Sequence, residues 1–135
     1  MVRQIRLIKT TDLKHIEDYG KKRVIWLRDK IIEEGVWKVP LKVEKELNLV
    51  MDGQHRMEVA KELGLSVVPC LIYSYEEVEV WSLRKNYEVN ADLIVERVIS
   101  NNIYPYKTAK HAFPEGSDLE CEFTLDELRN IEVIK

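Results

Sequence analysis

The sequence predicts a small α+β domain, and three observations predict it. Segments with apolar residues at helical spacing alternate with short apolar runs rich in Val, Ile and Leu. Glycines and capping residues punctuate the junctions between them. At 135 residues, 45% of them hydrophobic, the chain has the size of one domain, and residues 1–135 are expected to form one. Burial of about two-thirds of the unfolded surface is usual at this size, so no disulfide or metal staple is required.

Residues 2–9 alternate imperfectly, with Val2, Ile5 and Leu7 among Arg3, Arg6 and Lys9, and read as a first strand. Residues 10–20 form a polar connection. Over residues 21–34, Val24, Leu27 and Ile31, with Ile25 and Ile32 beside them, follow a helical period and predict a helix stopped by Gly35. Residues 40–44 and 47–51 predict two strands joined by a tight Lys45-Glu46 link. Residues 53–63 predict a short helix with Met57, Ala60 and Leu63 inward and Gly64 at its end. A fourth strand is predicted at 67–73, and the acidic segment 75–87 has no clear assignment. A helix over 91–100 is expected, capped by Asn90. Residues 101–114 read as a loop and 119–123 as a candidate strand. Thr124-Leu125-Asp126-Glu127 then opens a last helix with a capping-box pattern.

Charge narrows the function classes. Basic and acidic residues nearly balance, 21 against 24, for a formal net charge of −3. Nucleic-acid-binding domains carry a basic surplus or a basic stripe. Here only Lys21-Lys22-Arg23 forms a short basic run, behind Glu17 and Asp18, and it reads as a solvated helix start. Cys70 sits in an apolar run, and no Cys or His pair has ligand spacing, so neither a disulfide framework nor a zinc site is expected. The opening Met1-Val2-Arg3-Gln4-Ile5-Arg6 lacks the apolar core of a signal peptide, and no stretch is long enough to span a membrane. A soluble, cytoplasmic protein is the expectation.

One junction carries chemistry. The run 47–51 leads into Asp52-Gly53-Gln54-His55-Arg56, and the chain continues as helix. Such a junction aims free backbone N–H groups and the positive end of a helix dipole at one spot. The dipole alone contributes about 0.3–1 kcal/mol to an exposed anion. Gly53 lets a phosphate approach the backbone, Arg56 offers a bidentate charge-assisted pair, and His55 adds a donor. Asp52 supplies oxygen for a magnesium ion, a ribose or a bound water. A plainer assignment makes Asp52 a helix cap, leaves Arg56 in solvent and makes His55 structural. All five residues arriving together, between an apolar strand and an amphipathic helix, favour the phosphate site.

The box, followed by Glu58-Val59-Ala60-Lys61-Glu62-Leu63-Gly64 and Val68-Pro69, resembles the Asp-Gly-His-His-Arg box of the ParB/sulfiredoxin-like superfamily. Upstream, Ile32-Glu33-Glu34-Gly35-Val36-Trp37-Lys38-Val39-Pro40-Leu41 is similar to the same superfamily's passage from helix to strand. The resemblance spans about residues 4–73 and implies a mixed sheet with flanking helices. Gln54 stands where His is more usual, which keeps a donor and removes a titratable group.

Three branches separate on single residues. Sulfiredoxins carry a reactive cysteine inside the box, and residues 52–56 contain none. ParB-type partitioning proteins have a box richer in arginine and a helix-turn-helix domain after it; residues beyond 75 show no basic recognition helix and leave no room for that domain. The chain resembles the free L-serine kinases more closely, in Lys14-His15-Ile16-Glu17 ahead of the long helix. The later Tyr104-Pro105-Tyr106-Lys107-Thr108-Ala109-Lys110-His111 resembles their Pro-x-Lys-Thr-x-Arg-His loop, with Lys110 in place of arginine.

That resemblance implies transfer of a phosphoryl group from ATP or ADP, with magnesium, to the hydroxyl of free L-serine, giving O-phospho-L-serine. It implies Glu17 as general base. It implies Asp52 with magnesium, and the turn Gly53, Gln54, His55 and Arg56, as holders of the phosphates. Lys107, Thr108, Lys110 and His111 would contact the substrate carboxylate or the phosphate, and Trp81 would wall the amino-acid pocket. Neither a membrane nor a nucleic acid is an expected partner in this reading. Two alternatives stay open: a ParB-like nucleotide-sensing module acting in regulation or DNA binding, and a ParB-like nuclease or protein-interaction remnant.

Overall fold

Strand β5 (Val67–Tyr73) organises the molecule, and the computed structural model describes residues 3–131 around it. The strand is seven residues long and almost wholly buried, which is why it reads as a continuous apolar run and not as an alternating one. Its first half pairs antiparallel with β1 (Arg6–Lys9), and its second half pairs parallel with β3 (Leu41–Glu44). Pro69 falls where β3 has not yet begun, so its missing N–H breaks no ladder bond on that side. β4 (Val50–Asp52) pairs antiparallel with β3, giving the mixed order β1-β5-β3-β4. The predicted α+β class with a mixed sheet is observed.

Helix α1 (Lys21–Glu34) buries Val24, Leu27 and Ile31 and packs against α2 (Gln54–Glu62). Ile25 and Ile32 turn outward, so only the first three belong to its core stripe. Gly35, in the left-handed region, ends α1 and donates to Ile31 O. The chain then forms β2 (Val36–Trp37), whose Trp37 is fully buried. In α2, Met57 and Ala60 point inward as expected, joined by Val59, while Leu63 is partly buried against the core.

The later elements hold two corrections. Segment 75–87 contains β6 (Glu79–Ser82), and the predicted loop 101–114 contains β7 (Ala109–Ala112); the two form an antiparallel hairpin-like pair. α3 (Ala91–Ile99) lies between them, with Asn90 accepting from Leu93 N as its cap. The expected strand over 119–123 shrinks to β8 (Phe123–Thr124), paired with β2. α4 (Leu125–Asn130) opens on the capping box that Thr124 and Glu127 predict. Two earlier strands are also shorter than read. β1 begins at Arg6, with Val2 outside the described residues. The 47–51 strand begins only at Val50 and runs on to Asp52, because Asn48 sits in the left-handed region and extends the turn. Among the described residues, no helix is long and apolar enough to cross a membrane.

Candidate active site

The turn at the end of β4 is built around Gly53. Its φ is +115°, and a Cβ there would lie 2.5 Å from Leu41 Cδ2 on the neighbouring strand. Only glycine satisfies both conditions. Gly53 is also the N-cap of α2 and brings no side chain to it, so the helix's first N–H groups face outward without a side-chain cap. Asp52 is the exposed last residue of β4 and does not cap the helix.

The three residues after Gly53 divide their work. Gln54 is buried, and both ends of its amide are engaged within the protein: Nε2 donates to Val50 O, and Oε1 faces His15 Nδ1 at 2.6 Å. His15 Nε2 lies 2.6 Å from Glu58 Oε2, and the Tyr19 hydroxyl donates to Glu58 Oε1 at 2.8 Å. Gln54 therefore braces the turn through its carbonyl and one of its two amide N–H groups. His55 Nε2 accepts the Gly20 N–H at 3.0 Å. Burial, reinforced by nearby Arg23, His15, Lys107 and Arg56, holds the His55 pKa below its ordinary value. The ring is thus the neutral tautomer with its proton on Nδ1, and that one N–H is the donor it can offer. Arg56 is pulled down by burial and held up by the Asp52 charge, without losing its own charge.

Glu17 comes from the polar connection. Residues around it are stitched to two elements: Lys14 exchanges backbone bonds with Asn48 and Val50, and Ile16 and Asp18 bond to Tyr104. The Glu17 side chain is only 9% exposed. One carboxylate oxygen accepts Lys107 N–H at 2.9 Å and the other accepts Ala109 N–H at 3.0 Å. Burial raises its pKa above the ordinary carboxylate value, against the lowering effect of these backbone donors. A carboxylate has about four lone-pair sites, so two remain for a ligand.

Glu17, Asp52, Gly53, Gln54, His55, Arg56, Lys107, Lys110 and His111 all line one cleft of about 500 Å³. Two residues expected there are elsewhere. Thr108 is fully buried, and its hydroxyl donates to Pro105 O inside its own loop. Trp81 is 43% exposed and outside the lining, although its cross-strand partner Lys110 and the nearby Leu83 are part of it. His111 is packed between Tyr75 and Phe113, with Tyr75 Oη 3.0 Å from its Nε2. Burial, helped by Lys110, pushes its pKa down to about 4, so it serves as a neutral group.

Sequence reasoning missed Arg23 and Lys42, both of which line the cleft. Arg23 looked like part of a solvated helix start. Lys42 had a usable signal: it interrupts the core positions Leu41 and Val43 of β3, and the register places it beside Asp52. Cations outnumber carboxylates here, with Arg23, Lys42, Arg56, Lys107 and Lys110 set against Glu17 and Asp52. Among the described residues, Arg23, Arg56, Lys107 and Lys110 take part in no ion pair. Uncommitted cations around an open helix N-terminus suit an anion. No group of three or more His, Cys, Asp or Glu among the described residues is placed to hold a metal. Magnesium is commonly held by one or two carboxylates together with substrate phosphates and water. Asp52 suits a metal carried in on a phosphate, and the donor set does not suit a resident one.

The architecture defines a class first: a small α+β fold in which a strand–turn–helix box and a later hairpin enclose a cation-rich cleft. The same fold occurs in a solved structure of a free serine kinase in complex with AMP, at a TM-score of 0.84 and 13% identity, over 95% of each chain. It occurs also in C-terminally truncated SbnI from Staphylococcus aureus, at 0.84 and 11% identity over 96% of this chain and 90% of that one. A conserved hypothetical protein from Pyrococcus furiosus aligns at 0.70 and 13% identity, over 95% of this chain and 98% of that one. These likenesses are likenesses of fold. The sequence matches no family model and no curated protein.

Proposed function

We propose that this protein is a small-molecule kinase that transfers a phosphoryl group from ATP or ADP to the hydroxyl of free L-serine, with residues 1–135 as a single catalytic domain. The observation that carries the reading is one cleft holding uncommitted cations, an uncapped helix N-terminus and the buried carboxylate of Glu17. The fold shared with a free serine kinase, solved with AMP and with ADP, supports the same reading. The compartment that goes with it is the cytoplasm, and nucleic acid has no part in it.

Phosphoryl transfer needs positioning, charge neutralisation and an oriented nucleophile. The N–H groups at the start of α2, with Arg56 and the Nδ1–H of His55, hold the donor's phosphates, and Arg23 and Lys42 add charge. Asp52 would hold a magnesium ion entering with the nucleotide, and such an ion would neutralise charge on the phosphate oxygens. Glu17 takes the hydroxyl proton as the serine oxygen bonds to the terminal phosphorus. The bond from that phosphorus to the bridging oxygen breaks, releasing ADP from ATP or AMP from ADP. Lys107, Lys110 and His111 receive the serine carboxylate, Trp81 stands at the rim beside Lys110, and Thr108 stiffens the loop through Pro105.

One observation favours a second reading. Both Glu17 oxygens already bind the backbone of the later loop, which is also how a nucleotide-sensing module would clasp that loop without turnover. Incubation with L-serine, magnesium and each nucleotide in turn, followed by detection of O-phosphoserine, decides between them. Product with ATP or ADP is expected. Nucleotide binding with no product from any nucleotide would move the protein to the sensing class.

A further inference from the structure

A cleft of about 400 Å³ opens between helix α3 and the segments on either side of it, and it shares no lining residue with the cation-rich cleft. Its volume falls in the range of about 300–1,000 Å³ that ligand sites occupy. Arg97, half-buried in the last turn of α3, is the one cation in its lining. The guanidinium lies against two aromatic rings, 4.4 Å from the centroid of Tyr104 and 5.4 Å from that of Tyr87. The Tyr104 hydroxyl donates elsewhere, to Glu88 O at 2.7 Å. Arg97 Nε is buried with no acceptor among the described residues, and the guanidinium enters no ion pair there. Buried donors in folded proteins are nearly always paired, so this one asks for a partner. Stacking uses the faces of a guanidinium and leaves its edge N–H groups for a planar, bidentate acceptor such as a carboxylate.

The rest of the wall selects what carries that carboxylate. Glu88 and Glu96 line the same cleft, both are exposed, and neither takes part in an ion pair among the described residues. A purely anionic ligand would meet two carboxylates beside one guanidinium, and a purely cationic one would meet Arg97. A molecule with both charges matches both sets. The other contributors are neutral: Asn86, Asn102 and Ser100 bring amides and a hydroxyl, and Leu93 a small apolar surface. We infer that this cleft binds a free α-amino acid, with its carboxylate on the edge of Arg97, its ammonium between Glu88 and Glu96, and a neutral side chain along Leu93 and the two asparagines. Tyr104 also pairs through its backbone with Ile16 and Asp18, so the site backs onto the connection that carries Glu17. The inference goes beyond the kinase reading and does not depend on it.

The test follows the Arg97 Nε–H signal by 15N-edited NMR, assigned through Arg97→Lys, while L-glutamine and L-valine are added in turn. Each is compared with its α-amide, which lacks the carboxylate, and with its deaminated acid, which lacks the ammonium. At least one of the two amino acids should shift the signal saturably. Loss of either charged group should weaken binding by about tenfold or more, the equivalent of one charge-assisted hydrogen bond. The double variant Glu88→Gln, Glu96→Gln changes two exposed side chains and leaves the core intact. It should weaken the amino acid by a similar factor and should not weaken the deaminated acid. No saturable shift with either amino acid overturns the inference, and so does an amide or a deaminated acid that binds as tightly as its parent. Undiminished affinity in the double variant overturns it as well, because the ammonium then lies elsewhere. No nucleotide enters any of these measurements, so each outcome leaves the kinase reading where it stood.

Discussion

Glu17→Gln removes one negative charge and exchanges one of two acceptor oxygens for an NH2 group. Lys107 N–H and Ala109 N–H point at the two oxygens from 2.9 and 3.0 Å. Whichever way the amide turns, its nitrogen meets a backbone donor, and one of those N–H groups loses its partner at a side chain only 9% exposed. An unsatisfied buried donor costs about 1–3 kcal/mol, so the urea midpoint should fall by that equivalent with the m-value unchanged. If Glu17 is also the base, turnover should drop by about 10²–10⁴-fold at saturating substrates. The two effects part on pH. Burial holds the folded carboxyl above its reference value of 4.5, so the folded state binds this proton more tightly than the unfolded state does. The resulting stability is fully present below the unfolded pKa and is lost as pH rises through the folded one. The wild type's advantage over the variant should therefore shrink across that window. The wild-type kcat/KM should fall as pH drops through the same folded pKa, and the variant should lack that limb. Phosphoserine formation and urea titrations from pH 4 upward supply both measurements. Rates within twofold of wild type, or a slow variant keeping the acidic limb, would refute the base assignment; an unmoved midpoint would refute the clasp.

Gly53→Ala places a Cβ 2.5 Å from Leu41 Cδ2 at a φ of +115°. Left-handed strain alone costs about 1–3 kcal/mol, so calorimetric scanning should show Tm lowered by several degrees, and an unchanged Tm would contradict this turn geometry. Arg56→Ala removes an uncommitted cation from the cation-rich cleft, and titration calorimetry should show nucleotide binding weakened by about 1.5–3 kcal/mol. Undiminished affinity in a folded Arg56→Ala protein would take the phosphates away from this turn.

Elements with local signals were legible from the residues. The stripe Val24, Leu27, Ile31 announces α1, Asn90 announces α3, and the reciprocal Thr124–Glu127 pair announces α4. The hairpin of β6 and β7 was not legible, because its strands are only four residues each, half-buried, and find each other across an intervening helix. The box at 52–56 could be found because the strand, the glycine and the helix start are contiguous. What each side chain does there was less visible. Gln54 and His55 spend hydrogen-bonding capacity on His15 and Gly20, partners more than thirty residues upstream. Thr108 carries a motif's chemistry and turns it inward to Pro105.

The connection at residues 14–20 explains why those partners escape a reading along the chain. Lys14 pairs with Leu49 in a short bridge ahead of β4, His15 and Tyr19 converge on Glu58 of α2, and the Gly20 N–H reaches His55. Glu17 reaches in the other direction and fixes the backbone of the later loop, 90 and 92 residues away. A stretch that looked like a polar linker thus joins both walls of the cleft. Its polar residues are retained by buried or half-buried hydrogen bonds, which are costly to leave unmade. A ligand that shifts the turn at 53–56 pulls on His55 and so on Gly20, three residues from the carboxylate that holds the loop. Glu17, the turn at 53–56 and the loop it clasps are therefore mechanically one unit, although the sequence presents them as three separate segments.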